Sequence, residues 1–250
     1  MAGHSHAKNV MHRKGRANAA KSALFTRLMK EIQVAAKSGL PDPAANPRLR
    51  MAVQAARQAN VPKDNIERAI KRSQGSDAEN YEEVRYEGYG PGGVAIIVEA
   101  LTDNRNRTAA DVRSALTKLG GSMAEPGAVS WQFKRQGIII LDKVADGDEL
   151  MLAALDAGAD DVADEGEGTW KVTCAPSVTY ELKEALEQAG YQVVSADSPM
   201  VSENLVPVTN VEDAKKILRI IETIEDNDDV QDVYSNFDIA DDVMEAAAAG

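Results

Sequence analysis

Residues 137–196 contain the same pattern twice, and this repeat decides the fold of the middle of the chain. The first copy is GIIILD (137–142), DELMLAALDAG (148–158) and ADDVADEG (159–166), and the second is TWKVTCA (169–175), SVTYELKEALEQAG (177–190) and YQVVSA (191–196). In each copy a helical pattern lies between two strand patterns, which indicates a β-α-β unit. Two such units in tandem give βαββαβ, so the sequence predicts a ferredoxin-like domain over 134–204.

The segments on either side of this repeat predict a second α/β domain. The predicted elements are two strands around a glycine-rich turn (82–101), a helix (104–121), a strand (128–133), a helix (211–226) and a strand (229–237). Neither group can bury an apolar face alone, because one helix with one or two strands is not a stable layer. The sequence therefore predicts that 76–133 and 205–240 form one discontinuous domain into which the ferredoxin-like domain is inserted. The tail 241–250 is expected to fray.

Three amphipathic helices are predicted for residues 21–75, and the arm 1–20 before them lacks apolar periodicity. In the second helix Asn46 is the expected N-cap and Pro47 the first helical residue. Its predicted buried stripe consists of Leu49, Ala52, Val53 and Ala56. The predicted fold class is therefore α+β multidomain, with an N-terminal three-helix bundle and two α/β domains.

Charge is divided unequally along the chain. Residues 1–75 carry fifteen basic and four acidic residues, a net of +11, whereas residues 76–250 carry thirteen and thirty-six, a net of −23. Excess positive charge on one short segment repels itself unless a polyanion neutralises it. The sequence therefore predicts a nucleic-acid-binding module at the N-terminus. The alternative is a solvated helical surface that happens to be rich in lysine and arginine.

The candidate nucleic-acid-binding residues are the basic side chains of the arm and of the outward helix faces, with one histidine. They are Lys8, His12, Arg13, Lys14, Arg16, Lys21, Arg50, Arg57, Lys63, Arg68, Lys71 and Arg72. In the arm, the Lys and Arg side chains would pair with phosphates while His12 hydrogen-bonds nearby, and the arm would gain order on binding.

The histidines His4, His6 and His12 do not have the spacing of a structural zinc site, and the single cysteine, Cys174, cannot complete one. If the initiator Met is removed, the free amine, two backbone nitrogens and the imidazole of His4 offer a square-planar nitrogen set. Such a set suits Cu(II) or Ni(II), and we expect any binding there to be physiologically incidental. No physiological metal or cofactor is predicted.

The stretch TDNRNRT (102–108) is a candidate anion-binding site. Thr102 or Asp103 is expected to cap a helix whose first turn then holds Arg105 and Arg107. Cations at that end oppose the helix dipole, and a bound anion would resolve the conflict. The alternative is that each arginine pairs with a carboxylate of the acidic part of the chain. Whether these arginines share a ligand with the basic bundle stays open.

No residue pattern predicts catalysis. Cys174 lies in an alternating strand and is expected to be a buried packing residue. The turn GYGPGG (88–93) lacks the Gly-Lys-Ser/Thr ending of a phosphate loop, and is predicted to need positive φ angles. A single cysteine and the lack of an apolar run of transmembrane length predict a cytoplasmic protein that does not bind membranes.

Four segments resemble the YebC family. They are MAGHS…HRKGR (1–16), ANPRLRMAVQAARQANVPKDNIERAIKR (45–72), YEGYGPGGVAIIVEALTDNRNRTAADVR (86–113) and GYQVV (190–194). The resemblance implies an N-terminal helical bundle and two α/β domains, with the ferredoxin-like one inserted in the other. One departure is that His6-Ala7 stand where the family often has Lys-Trp, so a base-stacking contact by that Trp would be missing.

The resemblance implies regulation of gene expression, since some members of the family act as DNA-binding transcriptional regulators and others as ribosome-associated translation factors, including a mitochondrial translational activator. The resulting prediction is a non-enzymatic, DNA-binding transcriptional regulator. The first alternative is a translation factor that uses the same basic face on ribosomal or messenger RNA. The second is a protein–protein adaptor that binds through the acidic part of the chain.

Overall fold

A computed structural model of the chain describes residues 19–75 and 80–248. These residues divide into two compact units. The N-terminal unit comprises 19–75, 80–128 and 215–233, and the central unit comprises 129–214 and 234–248. The predicted limits of three domains stay a prediction, because these units join the bundle to the sheet that follows it. Within the described residues, no helix is both long enough and apolar enough to cross a bilayer.

Three helices come first, and strands and helices are mixed in the rest of the chain. In chain order the first eight are α1 (Ala19–Ser38), α2 (Pro47–Gln58), α3 (Lys63–Arg72), β1 (Glu82–Tyr89), β2 (Ala95–Thr102), α4 (Arg105–Lys118), β3 (Ser122–Ala124) and β4 (Phe133–Arg135). After them come β5 (Gly137–Asp142), α5 (Gly147–Asp156), β6 (Asp161–Gly166), β7 (Thr169–Cys174), α6 (Thr179–Gln188), β8 (Gln192–Asp197), β9 (Met200–Ser202), β10 (Val206–Val208), α7 (Val211–Glu225), β11 (Val230–Ser235), β12 (Phe237–Ile239) and α8 (Asp241–Ala248). This is an α+β multidomain fold with an N-terminal helical bundle, as predicted.

The bundle of α1, α2 and α3 packs around the stripe that helical spacing predicts. Leu49, Ala52, Val53 and Ala56 are all buried, together with Ile32 of α1. Asn46 caps α2 as predicted, since its side chain accepts a hydrogen bond from the amide of Leu49 at 3.1 Å. Its amide group also donates to the carbonyl oxygens of Ala35 (2.8 Å) and Leu40 (2.9 Å), and this ties the loop before α2 to the end of α1.

The sheet of the N-terminal unit has the strand order β11-β2-β1-β3. β1 and β2 are antiparallel over their full length, from Glu82 opposite Thr102 to Tyr89 opposite Ala95. The turn between them contains Gly92 and Gly93 at φ angles of 72° and 79°, which confirms the predicted need for positive φ. β11 lies next to β2, so a strand from beyond the inserted segment completes this sheet.

The sheet of the central unit has the order β6-β7-β5-β8, with antiparallel pairing of each neighbouring pair. In chain order a helix follows β5 and another follows β7, so this is the βαββαβ arrangement predicted from the repeat. Cys174 is buried in the core between the sheet and its helices. Burial raises the pKa of its thiol, as expected for a packing residue.

Residues 128–133 do not form the predicted strand. The amide of Gln132 donates to the carbonyl oxygen of Val129 at 3.1 Å, and residues Ser130–Gln132 form a short 3-10 helix. Val129 is buried while Trp131 is exposed, and only at Phe133 does the chain become extended as β4. Val129, Trp131 and Phe133 alternate with polar or small residues as in a strand. The residues between Val129 and Phe133 form a local turn instead.

The tail is more ordered than its composition suggested. Residues 241–248, which were expected to fray with the rest of 241–250, form helix α8. Its Met244 and Ala247 are buried, so an apolar face one turn wide stabilises a segment that already has high helix propensity from its alanines.

A buried carboxylate connects the bundle to the sheet of the N-terminal unit. Asp229, directly before β11, accepts hydrogen bonds from Lys30 Nζ of α1 (2.7 Å), Arg107 Nη2 of α4 (2.7 Å) and the hydroxyl of Thr108 (2.8 Å). Its side chain is only 7% exposed. Burial alone would raise the pKa of Asp229, but the bonds from Arg107, Lys30 and Thr108 outweigh it and lower this pKa to about 2.

We expect Asp229→Asn to lower the free energy of unfolding by about 3 kcal/mol, because it leaves Lys30 without its buried counter-charge. The measurement is urea unfolding at neutral pH. Since the pKa of Asp229 is lower in the folded state, its contribution is complete above pH 4 and declines as pH falls towards 2. By linkage it should be roughly halved near pH 3.

The matched control is Asp226→Asn, which removes a nearby exposed carboxylate. It should change the free energy of unfolding by less than about 0.5 kcal/mol. An equally small loss in Asp229→Asn, or a difference from wild type that does not shrink in acid, would contradict the structural role of Asp229.

Candidate nucleic-acid interface

The second and third helices carry an exposed row of cations opposite their buried stripes. In α2 the buried Leu49, Ala52, Val53 and Ala56 leave Arg50 and Arg57, two turns apart, on one outward side. The described cations predicted to bind nucleic acid are all exposed, and they are Arg50, Arg57, Lys63, Arg68, Lys71 and Arg72. We call these six residues the basic face.

Most of the basic face is not neutralised by nearby carboxylates. Arg50 makes a hydrogen bond of 3.4 Å to the carbonyl oxygen of Ala44, and Lys63 lies 3.5 Å from Glu67. Exposed contacts of this kind contribute little energy. No residue of the described ranges pairs with Arg57, Arg68 or Lys71. The positive surface therefore stays open to solvent.

Other cations of the bundle contact the N-terminal unit itself. Lys30 binds the carboxylate of Asp229 and lies 5.2 Å from the centre of the Tyr81 ring. Arg48 pairs with Glu31 (2.7 Å) and with Glu83 of β1 (2.6 Å), and the hydrogen bond to Glu31 raises the pKa of its guanidinium. Arg27 donates to the carbonyl oxygen of Glu225 at the end of α7, where the helix dipole favours a cation.

Helix stability accounts for only some of the basic face. Arg57 is in the last turn of α2, and Lys71 and Arg72 are in the last turn of α3, where cations complement the helix dipole. Lys63 is the first residue of α3, at the end where a cation opposes the dipole. Local stability therefore favours the cations at the ends of α2 and α3 but not the one at the start of α3.

No role was predicted for Met51, an apolar residue of α2. It is 64% exposed and follows Arg50 in α2. The sequence did indicate that Met51 is exposed, because it is an apolar residue outside the predicted buried stripe of α2. An exposed thioether next to Arg50 offers a polarizable apolar surface.

The arginines of the predicted anion site lie in the first turn of α4, but the capping residue differs from the prediction. Asn104, and not Thr102 or Asp103, is the N-cap, since its side chain accepts from the amide of Arg107 at 3.1 Å. The hydroxyl of Thr102 instead accepts from the amide of Asn104 and donates to Asp229, which prevents it from capping the helix.

Carboxylates lie where an anion was expected. Arg107 pairs with Asp103 and Asp229, both at 2.7 Å, and the hydrogen bond to Asp229 is the main reason that the pKa of this guanidinium is raised. Arg105 lies 3.6 Å from Glu82, and both side chains are exposed. This is the pairing that the alternative hypothesis describes, and anion binding by Arg105 and Arg107 stays a prediction.

The remaining predicted residues lie outside what the structure describes. These are the arm residues Lys8, His12, Arg13, Lys14 and Arg16, the metal-binding candidate His4, and the side chain of Lys21, whose backbone belongs to α1. The described part of the interface is therefore the basic face of α2 and α3.

Comparison with known proteins identifies a family over nearly the whole chain. Residues 5–76 match the TACO1/YebC protein N-terminal domain, and residues 81–237 match the TACO1/YebC second and third domain. A crystal structure of a conserved hypothetical protein, Aq1575 from Aquifex aeolicus, is 41% identical, covers 91% of this chain and 94% of its own, and has a TM-score of 0.80. The chain therefore belongs to the TACO1/YebC family, and this membership supports a general role in transcriptional or translational regulation.

Proposed function

We propose that the protein is a non-enzymatic regulator of gene expression that binds nucleic acid through the basic face of α2 and α3. In this proposal the exposed arginines and lysines pair with phosphates, and the basic residues of 8–16 extend the contact. Phosphate contacts position a protein on nucleic acid without reading its sequence. The first candidate target is duplex DNA, as for a transcriptional regulator.

The observation that carries this proposal is the division of the bundle's cations into two groups. Lys30 and Arg48 contact carboxylates of the N-terminal unit, whereas Arg57, Arg68 and Lys71 of the basic face are exposed and pair with no carboxylate of the described residues. If the cations served only to hold the unit together, these three would also face carboxylates. An exposed cationic surface on a rigid helical bundle is the usual electrostatic footprint of a nucleic-acid-binding protein.

The acidic remainder of the chain limits how nucleic acid can bind. Residues 76–250 carry a net charge of −23, which repels a polyanion that lies along them. The contact should therefore be confined to the bundle and the arm. About five phosphate contacts would give a slope near −4 to −5 for log K against log salt on duplex DNA.

A second candidate function, translational activation on RNA, is favoured by the same charge distribution. A long duplex extends past its binding site and meets the acidic remainder, whereas a folded ribonucleoprotein can offer phosphates to one end of a protein and protein surface to the rest. The bundle has few aromatic residues for stacking on single-stranded bases, with only Phe25 among the residues of α1, α2 and α3, so this candidate implies a structured RNA. The ribosome is the partner that this candidate implies.

Reversing three cations of the basic face tests where the interface is. We expect the triple variant Arg57→Glu, Arg68→Glu, Lys71→Glu to weaken binding to a duplex DNA or an RNA hairpin by at least about a hundredfold, and to reduce the salt slope by about 3. Fluorescence anisotropy at several salt concentrations measures both. These side chains are exposed, so circular dichroism and the unfolding midpoint should stay close to wild type.

The matched control reverses exposed cations on α4 and α7, with Arg113→Glu, Lys118→Glu and Lys216→Glu. It changes net charge by the same amount, so it should weaken binding much less if the contact is local. Equal losses in the two triple variants would indicate a diffuse charge effect, and an unchanged affinity in the first would refute the interface. A salt slope near zero for wild type would favour the protein–protein adaptor.

Sedimentation of a cell lysate separates the two candidate targets. If the protein acts in translation, it should travel with ribosomal particles at moderate salt and move to the top of the gradient after RNase treatment. If it acts in transcription, it should stay at the top in both cases and shift particular DNA fragments in a sequence-dependent way. The variant with the reversed basic face should lose whichever association wild type shows.

A further inference from the structure

Helix α5 of the central unit has apolar residues on two sides. Its inward side buries Leu150 and Ala154 completely against the sheet. The opposite side carries Met151, Leu152 and Leu155, which are 39%, 68% and 47% exposed. These three residues have the spacing i, i+1 and i+4, so they form one continuous apolar stripe.

A stripe of this kind is unusual on an exposed helix. Helices at the surface of a globular protein normally place charged or polar residues opposite the buried side. Single exposed apolar residues are common, but a contiguous apolar patch with a polar rim marks an interaction surface. The inward side of α5 is already packed, so the stripe is not needed for the core.

The surroundings of the stripe are strongly acidic. Residues 142–168 contain ten acidic residues and one lysine, and Asp148 and Asp156 of α5 are exposed at either end of the stripe. At the start of α5 lies a cavity of about 310 Å³ whose lining includes three acidic residues, Asp142, Asp146 and Glu149, and one cation, Lys143. Glu149 is one helical turn from Leu152, so the cavity adjoins the stripe.

The negative charge at this cavity affects the pKa of a neighbouring side chain. Tyr191 also lines the cavity, and its pKa is raised first by burial and then by the negative charges of Glu149 and Asp146. Asp146 also caps α5 by accepting from the amides of Asp148 and Glu149, which fixes its carboxylate in place. The cavity would therefore favour a lysine or arginine side chain.

We propose that Met151, Leu152 and Leu155, with the carboxylates around them, form a docking surface for a cationic amphipathic helix of a partner protein. The apolar side of that helix would cover the stripe, and a basic residue on its border would enter the acidic cavity. Helix-on-helix docking through apolar positions one turn apart is a common mode of recognition. Opposite charges at the rim would accelerate association and exclude other partners.

The charge around the stripe favours a cationic helix over nucleic acid, anionic lipid or a second copy of the chain. Nucleic acid and anionic lipid are both repelled by the excess of carboxylates within 142–168, of which only Glu165 is nearly buried and paired, with Lys171. A second copy of the chain would bring its own acidic rim against this one, because a symmetric dimer places the same patch on both sides. The surface also lies outside the basic face, so this inference does not depend on the proposed function.

The test uses a defined probe, a fluorescein-labelled synthetic helix of about 18 residues with leucines on one side and lysines on the other. A peptide of the same composition in scrambled order is its control. We expect the amphipathic peptide to bind the full-length protein at least about tenfold more tightly than the scrambled one in fluorescence anisotropy. Titration monitored by NMR should shift the amides of α5.

The decisive variant is Leu152→Glu with Leu155→Glu, which should weaken peptide binding at least about tenfold. The matched control is Leu40→Glu, because Leu40 is 60% exposed in a loop of the N-terminal unit and lies outside the stripe. It should leave peptide binding unchanged. If the double variant unfolds, Leu152→Ser alone should still weaken binding, since Leu152 is the most exposed of the three.

Several outcomes would overturn the proposal. Equal binding of the two peptides, or equal affinity in wild type and the double variant, would show that the contact is only electrostatic. Self-association of wild type in sedimentation equilibrium that the double variant abolishes would assign the stripe to a second copy. Binding to vesicles of anionic phospholipid that depends on Leu152 would assign it to a membrane surface.

Discussion

The arrangement of the N-terminal unit depends on the hydrogen bonds and ion pairs of the Asp229 carboxylate. Asp229 lies directly before β11, the strand that completes the first sheet, and its carboxylate accepts hydrogen bonds from α1 and from α4. An isolated buried carboxylate would be unstable, but this one is surrounded by donors that favour its charged form. Removing it would leave Lys30 buried without a counter-charge and would loosen the bundle from the sheet.

The attachment of the bundle to the sheet determines how the exposed cations are presented. Lys30 and Arg48 hold the bundle against the sheet, so α2 and α3 present the basic face from a rigid support rather than from a mobile segment. Rigid placement reduces the entropy lost when phosphates bind. Basic side chains of the bundle therefore have two roles: Lys30 and Arg48 attach the bundle to the sheet, and those of the basic face are exposed to solvent.

Sequence periodicity predicted those features that depend on neighbouring residues. The buried stripe Leu49, Ala52, Val53 and Ala56 and the cap Asn46 are as predicted, because helical spacing and capping are local properties. The βαββαβ order of the second sheet was also accessible, since the repeat fixes both its elements and their sequence.

Features that depend on distant residues were missed. Lys30 and Asp229 are 199 positions apart, and nothing in either local sequence indicates that they meet. The cap of α4 was misplaced for a related reason, because Thr102 is used by Asp229 and leaves the capping position to Asn104. The exposed stripe on α5 could have been found, since Met151, Leu152 and Leu155 exceed what one buried side of a short helix can hold.

The two proposed surfaces have opposite charge and different partners. The basic face of α2 and α3 would bind phosphates, and the apolar stripe of α5 with its acidic surroundings would bind a cationic helix. A chain with this division of charge can hold a nucleic acid and a protein without the two competing for the same residues. That property suits a regulator whose action depends on the presence of both partners.

Hydrogen exchange on a complex with nucleic acid tests the central claim, that phosphates contact the bundle and not the acidic remainder. With a duplex DNA or an RNA hairpin as ligand, exchange measured by mass spectrometry should slow within residues 47–72 and stay unchanged within residues 137–197. Slowed exchange concentrated in 137–197, with none in 47–72, would contradict the account.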